Sequence, residues 1–227
     1  MVKKLSDFSI VIRAKNEERW IGYAIQSALD HLTKPEIVII DNNSTDKTLE
    51  IVKFFSENPN LNNEANNYSK IKILNIKNYS PGRALNLGIK HASKKYIMIL
   101  SAHCILKKFN EISVIKNLEK NACVFGNQIP VWNGKKITKR YLWSHFTNKK
   151  TLNMYSVLEK RYFLHNALAI YKKNTLKKFP FDENLTSKED RYWANKIIKK
   201  KMNFIYDPEL IVEHQYTLHG NTWKGIA

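Results

Sequence analysis

The chain has two cysteines, Cys104 and Cys123, in 227 residues, and two isolated thiols build neither a disulfide framework nor a thiolate zinc site. Their scarcity points to a reducing interior. No apolar run approaches the roughly 18 residues a membrane span needs, and residues 1–8 are too short and polar for a signal peptide, so a cytoplasmic location is expected. Acidic residues are also few, with 20 Asp and Glu against 38 Lys and Arg. No block of six like charges occurs, so much of the excess fits a solvated surface. No Gly-rich phosphate loop with a lysine follows the first apolar segment, which argues against a nucleotidyltransferase. No recognised nucleic-acid motif appears, which leaves the net charge of +18 and the aromatics as the sole support for a nucleic-acid binder.

What is present fits one α/β domain. A length of 227 residues at 43% hydrophobic is enough to bury a full core. Residues 1–113 carry 17 basic and 11 acidic side chains, net +6, and residues 114–227 carry 21 and 9, net +12. The second half therefore attracts acidic glycans or anionic headgroups more strongly.

The stretch PEIVIIDNNSTDKT over residues 35–48 organises the rest. Ile37, Val38, Ile39 and Ile40 predict a strand covered on both faces, as in a parallel sheet with helices either side. Asp41 then sits at the strand's carboxyl end, where open α/β sheets bind ligands. Asn42, Asn43 and Ser44 suit a turn, and Ser44 or Thr45 suits a helix cap, which makes a capped turn the plain alternative for Asp41.

Residues 8–12, FSIVI, predict another buried strand, followed by Arg13, Asn16 and Glu17. Trp20, Ile21, Ala24, Ile25, Ala28 and Leu29 recur at helical spacing, so the first two strands are expected to be parallel with a right-handed crossover. Leu49, Val52 and Phe55 mark the next helix, and the Asn-rich residues 58–69 read as a surface loop. A third strand is expected over 71–76 and a helix over 84–92. Before that helix stand Ser80, Pro81, Gly82 and Arg83, with Gly82 supplying conformational freedom and Arg83 a possible anion contact. A plain Pro-Gly turn explains the same residues.

Residues 96–100, YIMIL, predict a fourth strand that delivers Ser101, Ala102, His103 and Cys104 to the edge where Asp41 ends. A helix over 110–120 and a strand over 122–126 follow. Beyond Gly126, Trp132, Tyr141, Trp143, Phe146 and Tyr155 lie among Lys136, Lys139, Arg140, Lys149 and Lys150. These aromatics are either stacking or membrane-facing groups or the core of an irregular segment. A strand is expected over 163–171. Ser187 is placed to cap a helix whose first turn holds Glu189 and Asp190, an arrangement the helix dipole alone would select. Residues 204–206 predict a short strand, Asp207-Pro208 a turn, and residues 210–212 a segment leading to His214.

The order FSIVIRAKNE, IVIIDNNSTDKT, SPGRALNLGI, YIMILSAH, KEDRYWANKI and VEH resembles the family-2 glycosyltransferases of the GT-A fold, over about residues 8–214. The resemblance implies a single GT-A-like domain with a mostly parallel central sheet and helices on both faces. Residues 1–126 would bind the nucleotide sugar, and residues 127–227 would hold the acceptor and the base. It implies an inverting, hexosyltransferase-type enzyme using a nucleotide-diphosphate sugar and a glycan or lipid-linked acceptor. Such an enzyme would serve bacterial surface-glycan synthesis, such as capsule or lipopolysaccharide, with peripheral contact at an anionic inner membrane face.

By the same resemblance Asp190, with Glu189, matches the catalytic pair. Arg13, Asn16, Glu17, Asp41, Asn43, Arg83, Ser101 and His103 fall where the nucleotide sugar is held. The chain departs from the family at Ser101-Ala102-His103, where Asp-X-Asp is usual. His103 and His214 would then be the ligands of a divalent cation, Mn²⁺ suiting imidazole better than Mg²⁺, or would act on the phosphates with no metal. The same departure supports the alternative of a non-catalytic sugar-nucleotide binder.

Overall fold

The computed structural model describes residues 6–57, 70–218 and 223; the loop expected over 58–69 lies outside them. The first strand, β1 (Phe8–Ala14), leads through α1 (Ile21–His31) to β2 (Glu36–Asp41), then α2 (Thr48–Glu57), β3 (Ile71–Asn75), α3 (Pro81–His91) and β4 (Tyr96–Leu100). These four strands stand in the order β3-β2-β1-β4, and every pair is parallel.

Their apolar runs are continuous because both faces are covered. Ile10, Ile12, Ile37, Ile39, Met98 and Leu100 pack with α1 and Val52 of α2 on one side. The alternate residues Val11, Val38, Ile40, Ile97 and Ile99 pack with α3 on the other. Side chains of a strand alternate between faces, so a strand buried on both has no polar position to spare. Each fully buried aliphatic contributes about 1.5–3 kcal/mol. Cys104 and Cys123 are both free and buried, and burial pushes their thiols up, away from the reactive thiolate.

The second half is mixed rather than parallel. Strand β5 (Cys104–Lys108), helix α4 (Glu111–Lys120), the long β6 (Cys123–Trp132) and the short β7 (Lys135–Lys136) are followed by a 3₁₀ turn over Tyr141–His145. Three two-residue strands come next: β8 (Thr151–Leu152), β9 (Tyr155–Ser156) and β10 (Arg161–Tyr162). Strand β11 (Leu168–Lys172), α5 (Lys173–Lys178), α6 (Glu189–Lys199) and β12 (Phe204–Gln215) follow. β11 inserts antiparallel between β4 and β6. β12 runs parallel to β6 and antiparallel to β5.

Several boundaries differ from the sequence expectation. The strand expected over 163–171 starts at Leu168, because residues 163–167 leave the ladder to meet the head of α6. Asp207-Pro208 does not end a strand: β12 runs on through a register shift between Asp207 and Ile211, since proline offers no N–H to the ladder. β5 goes unforeseen, its CILKK reading as neither alternating nor uniformly apolar. The aromatics divide by residue, with Trp143 and Phe146 in the core and Trp132, Tyr141 and Tyr155 exposed.

Glu36 ties the base of the sheet together. Burial would raise its pKa, but hydrogen bonds from Lys72 Nζ (2.6 Å), the Ser9 hydroxyl (2.5 Å) and the Ser93 N–H (2.5 Å) outweigh it and hold the carboxyl at about 2. A lowered folded pKa stabilises above the unfolded value and loses that contribution as pH falls through the folded one. Glu36→Gln is therefore expected to lose about 2–3 kcal/mol at pH 7, with the gap to wild type closing between about pH 4.5 and 2 in denaturant titrations.

Candidate functional site

The carboxyl ends of β1 and β4, the start of β11 and the head of α6 frame one cleft of about 1190 Å³. It is lined by Arg13, Asn16, Glu17, Ser101, His103, Glu189 and Asp190 from the residues expected at the site, and also by Trp20, Tyr79, Tyr141, Glu159, His165, Asn166 and Arg191.

The antiparallel register of β11 on β4 pairs Leu168 with Leu100, and the Ser101 N–H donates to the Ala167 carbonyl at 3.1 Å. This brings His165 and Asn166 to the edge where β4 ends. The Asn166 N–H then donates to Asp190 Oδ2 at 2.9 Å. Arg191 supplies two further donors: its Nη1 reaches Asp190 Oδ2 at 2.9 Å and its backbone N–H reaches Oδ1 at 2.8 Å. Three donors fix the direction of this buried carboxylate.

Arg191 is itself held, its Nη1 donating to the Leu164 carbonyl at 3.0 Å and its guanidinium lying 4.4 Å from the centre of the Phe163 ring. Ser187 does not cap α6. Lys188 occupies the cap position with φ +59° and no side-chain cap bond, and the Arg191 N–H of the first turn donates to Asp190 instead.

Glu189 accepts from Arg13 Nη1 at 3.1 Å. Burial alone would lower Arg13, but the charges of Glu189, Tyr79 and Asp190 outweigh it and leave its pKa raised. The cleft thus keeps a firmly charged guanidinium at the end of β1.

A second cluster forms where β5 meets β12. His214 pairs with Cys104 in register, and the Gln215 N–H donates to the His103 carbonyl at 2.9 Å. The His103 and His214 rings then stand 4.8 Å apart. His103 Nδ1 lies 2.8 Å from Glu17 Oε1 and His214 Nδ1 lies 2.9 Å from Gln128 Oε1. Carboxylate and amide oxygens only accept, so each Nδ1 carries a proton, and His214, held neutral, keeps its lone pair on Nε2. Among the described residues His214 Nε2 has no hydrogen-bond partner. Burial, and then the nearness of His103 and His165, holds His214 well below the usual histidine range, hence neutral.

Orienting bonds at Nδ1 with Nε2 free are the usual disposition of metal-ligating histidines. Imidazole nitrogens suit a transition ion better than Mg²⁺, but two of them are a partial set. No group of three or more His, Cys, Asp or Glu among the described residues is placed to hold a metal ion. His165 sits beside them with Nδ1 accepting the Ala167 N–H at 3.1 Å, so its proton is on Nε2.

Four expected site residues do not line the cleft: His214, only 1% exposed, and Asp41, Asn43 and Arg83. Asp41 is only 2% exposed, and its carboxylate accepts the Ser44 N–H at 3.1 and 3.3 Å, so it holds the turn after β2 and leaves Asn42 to face the cleft. Asn43 takes the turn's left-handed position, φ +54°, and is exposed. Arg83 is drawn away by Glu183 Oε2 at 3.3 Å and the Asn78 carbonyl at 3.0 Å. The head of α3 is no open anion site either, because Ser80 caps it by accepting the Arg83 N–H and donates to the Glu183 carbonyl. Gly82 does not supply unusual dihedrals there: a Cβ on it would come within 2.1 Å of the Asp182 carbonyl oxygen, so close approach of that segment requires glycine. Asn16 lines the cleft while its Oδ1 accepts the Thr45 N–H at 2.8 Å, lacing the loops after β1 and β2 together.

His165, Asn166, Arg191 and Glu159 escape the sequence reading. Arg191 was adjacent to Glu189-Asp190 and available as a signal. The other three owe their place to the β11 register and to the β9–β10 hairpin.

The family model for glycosyl transferase family 2 matches residues 9–179. An uncharacterized glycosyltransferase of Rickettsia conorii is 32% identical over 120 residues, 52% of this chain and 18% of that protein. The poly-beta-1,6-N-acetyl-D-glucosamine synthase of Staphylococcus epidermidis is 28% identical over 120 residues, 52% of this chain and 27% of its own length. The matched segment is thus under a third of the length of these relatives. Among solved structures, S. aureus TarS 1-349 in complex with UDP-GlcNAc superposes with TM-score 0.68 at 19% identity, covering 97% of this chain and 61% of that one. The mannosyltransferase PcManGT of Pyrobaculum calidifontis, in complex with GDP-Man and Mn²⁺, gives 0.66 at 16% identity over 96% and 59%. Likeness at that identity speaks for the fold, a GT-A glycosyltransferase architecture, and the family match over most of the chain goes further. The chain belongs to glycosyl transferase family 2.

Proposed function

We propose that the protein transfers a hexosyl group from a nucleoside-diphosphate sugar to an acceptor hydroxyl, with inversion at the anomeric carbon, in the synthesis of a bacterial surface glycan. The observation that carries this reading is the Glu189-Asp190 pair, buried at the head of α6 yet lining the same cleft as Arg13 and His103. The UDP-GlcNAc and GDP-Man complexes of the structural neighbours support a nucleotide-sugar donor, and the poly-N-acetylglucosamine synthase supports a glycan product. Residues 1–126 hold the donor. Residues 127–227 bring the base and the acceptor, a glycan or a lipid-linked one.

In this reading Asp190 takes the proton of the acceptor hydroxyl as that oxygen attacks the anomeric carbon, and the diphosphate departs from the opposite face. The three donors on the Asp190 carboxylate keep it aimed, so little reorganisation is needed as the proton moves. Glu189 serves by orienting Arg13, whose charge stays inside the cleft to meet the diphosphate. His103 and His214 would hold a divalent ion, which would neutralise charge on the leaving diphosphate.

Asp190→Asn is expected to cut turnover by about 10²–10⁴-fold while nucleotide affinity measured by calorimetry stays as in wild type. Equal turnover would remove Asp190 from the role. A thermal-shift screen of UDP-, GDP-, dTDP- and CMP-sugars is expected to show one nucleotide class that raises the melting point, since a ligand selective for the folded state stabilises it. That rise should be larger with Mn²⁺ than with Mg²⁺, and the difference should vanish in His103→Ala. A rise indifferent to metal would assign the histidines to direct phosphate contact.

A further inference from the structure

The β9–β10 hairpin presents a surface that the transfer chemistry does not use. Its turn over residues 157–160 is well built: the Ser156 hydroxyl accepts the Glu159 N–H at 3.0 Å, the Lys160 N–H donates to the Val157 carbonyl at 3.3 Å, and Lys160 takes φ +51°. The stem is anchored too. Tyr155 meets Tyr162 edge to face at 5.5 Å, Tyr162 meets Phe204, and the Arg161 guanidinium lies 5.4 Å from the Tyr192 ring of α6.

Yet the turn offers Val157 at 81% exposure and Leu158 at 72%. Leu152 and Tyr155, a few residues earlier, and Tyr192, against the stem, are also about half exposed. Scattered exposed aliphatics are ordinary, but adjacent ones on an ordered tip, continued by aromatics, mark a contact surface.

Charge says what the contact is. Residues 149–161 contain Lys149, Lys150, Lys160 and Arg161 against a single acid, Glu159, and Lys150 is paired with Asp207 Oδ2 at 3.2 Å. Glu159 turns inward, to Arg191 Nε at 3.5 Å and Lys188 Nζ at 3.8 Å. The surface is therefore aliphatic at its tip, aromatic behind it and cationic around it, the composition of an element that lies in a bilayer interface. An identical basic hairpin in a two-fold contact would be repelled, which disfavours a second copy as the occupant.

We propose that the β9–β10 hairpin docks the protein on an anionic phospholipid bilayer. Val157 and Leu158 enter the acyl boundary, and Lys149 and Lys160 meet the headgroup phosphates. Because Glu159 of the same turn lines the cleft, docking holds the cleft mouth at the membrane surface, where a lipid-linked acceptor presents its hydroxyl. The inference rests on the proposed function for that setting alone.

The test is vesicle flotation of the full chain with phosphatidylcholine and with phosphatidylcholine–phosphatidylglycerol vesicles, without donor or acceptor. Wild type is expected to float with the anionic vesicles only. Val157→Ser with Leu158→Ser should lose about tenfold or more of that partitioning at an unchanged melting point. Val157→Trp should add an emission component that shifts to the blue when anionic vesicles are added. The proposal is overturned if wild type floats with neither vesicle, if the double variant floats as wild type does, or if the introduced tryptophan's emission does not move. A wild-type dimer that the double variant converts to monomer, with flotation unchanged, would assign the tip to a second copy and overturn it equally. Flotation without transferase activity would sink the proposed function and leave this inference standing; transfer without flotation would do the reverse.

Discussion

The antiparallel seating of β11 between β4 and β6 is the constraint on which the site depends. A strand that ran parallel to β4 would start at the sheet's opposite edge. Running against it, β11 begins where β4 ends, so Asn166 arrives beside Ser101 and its backbone N–H reaches Asp190. Helix α6 is thereby held to the edge of the sheet, by the Asn166 N–H on Asp190, by the Arg191 bond to the Leu164 carbonyl and by the Arg13–Glu189 pair. A slip by one residue would turn every inward side chain of β11 to the other face.

The cleft's charges are arranged so that no acid stands alone: Glu189 with Arg13, Glu17 with His103, Asp190 with Arg191, and Arg191 again with Glu159. An unpaired carboxylate at such burial would cost several kcal/mol, which gives the pairing a folding role before any catalytic one. Ser101, Ala102 and His103 add no carboxylate to this network. Arg13 is the guanidinium that stays charged at the end of β1 within it. The large positive excess of the second half lies mostly outside this network, at the surface.

Most of the first half was legible in the residues. Runs such as IVII and YIMIL are apolar at every position because both faces of a central parallel strand are covered, and no other common environment asks for that pattern. The polar residues after each run, Arg13, Asn16 and Ser101, follow as ligand-edge groups by topology alone. Less was legible in the second half. CILKK in β5 pairs only on one side and reads as loop, and Pro208 signalled a stop where the long β12 absorbs it as a bulge. The roles of Asp41 and Arg83 were illegible for a different reason. A carboxylate or guanidinium near an edge faces ligand or protein according to which partner is closer, and Ser44 and Glu183 were closer.

The amino-acid order by itself determined the alternation of strands and helices, the two-sided core and the family, since these depend on local periodicity and on short motifs read in sequence. Tertiary structure decided which polar groups meet. His103 and His214 are over a hundred positions apart and become neighbours through the β5–β12 pairing, while Asp190 acquires its direction from Asn166 on a different element. Pairing register and side-chain reach set those contacts, and both are properties of the packed chain that no local pattern encodes.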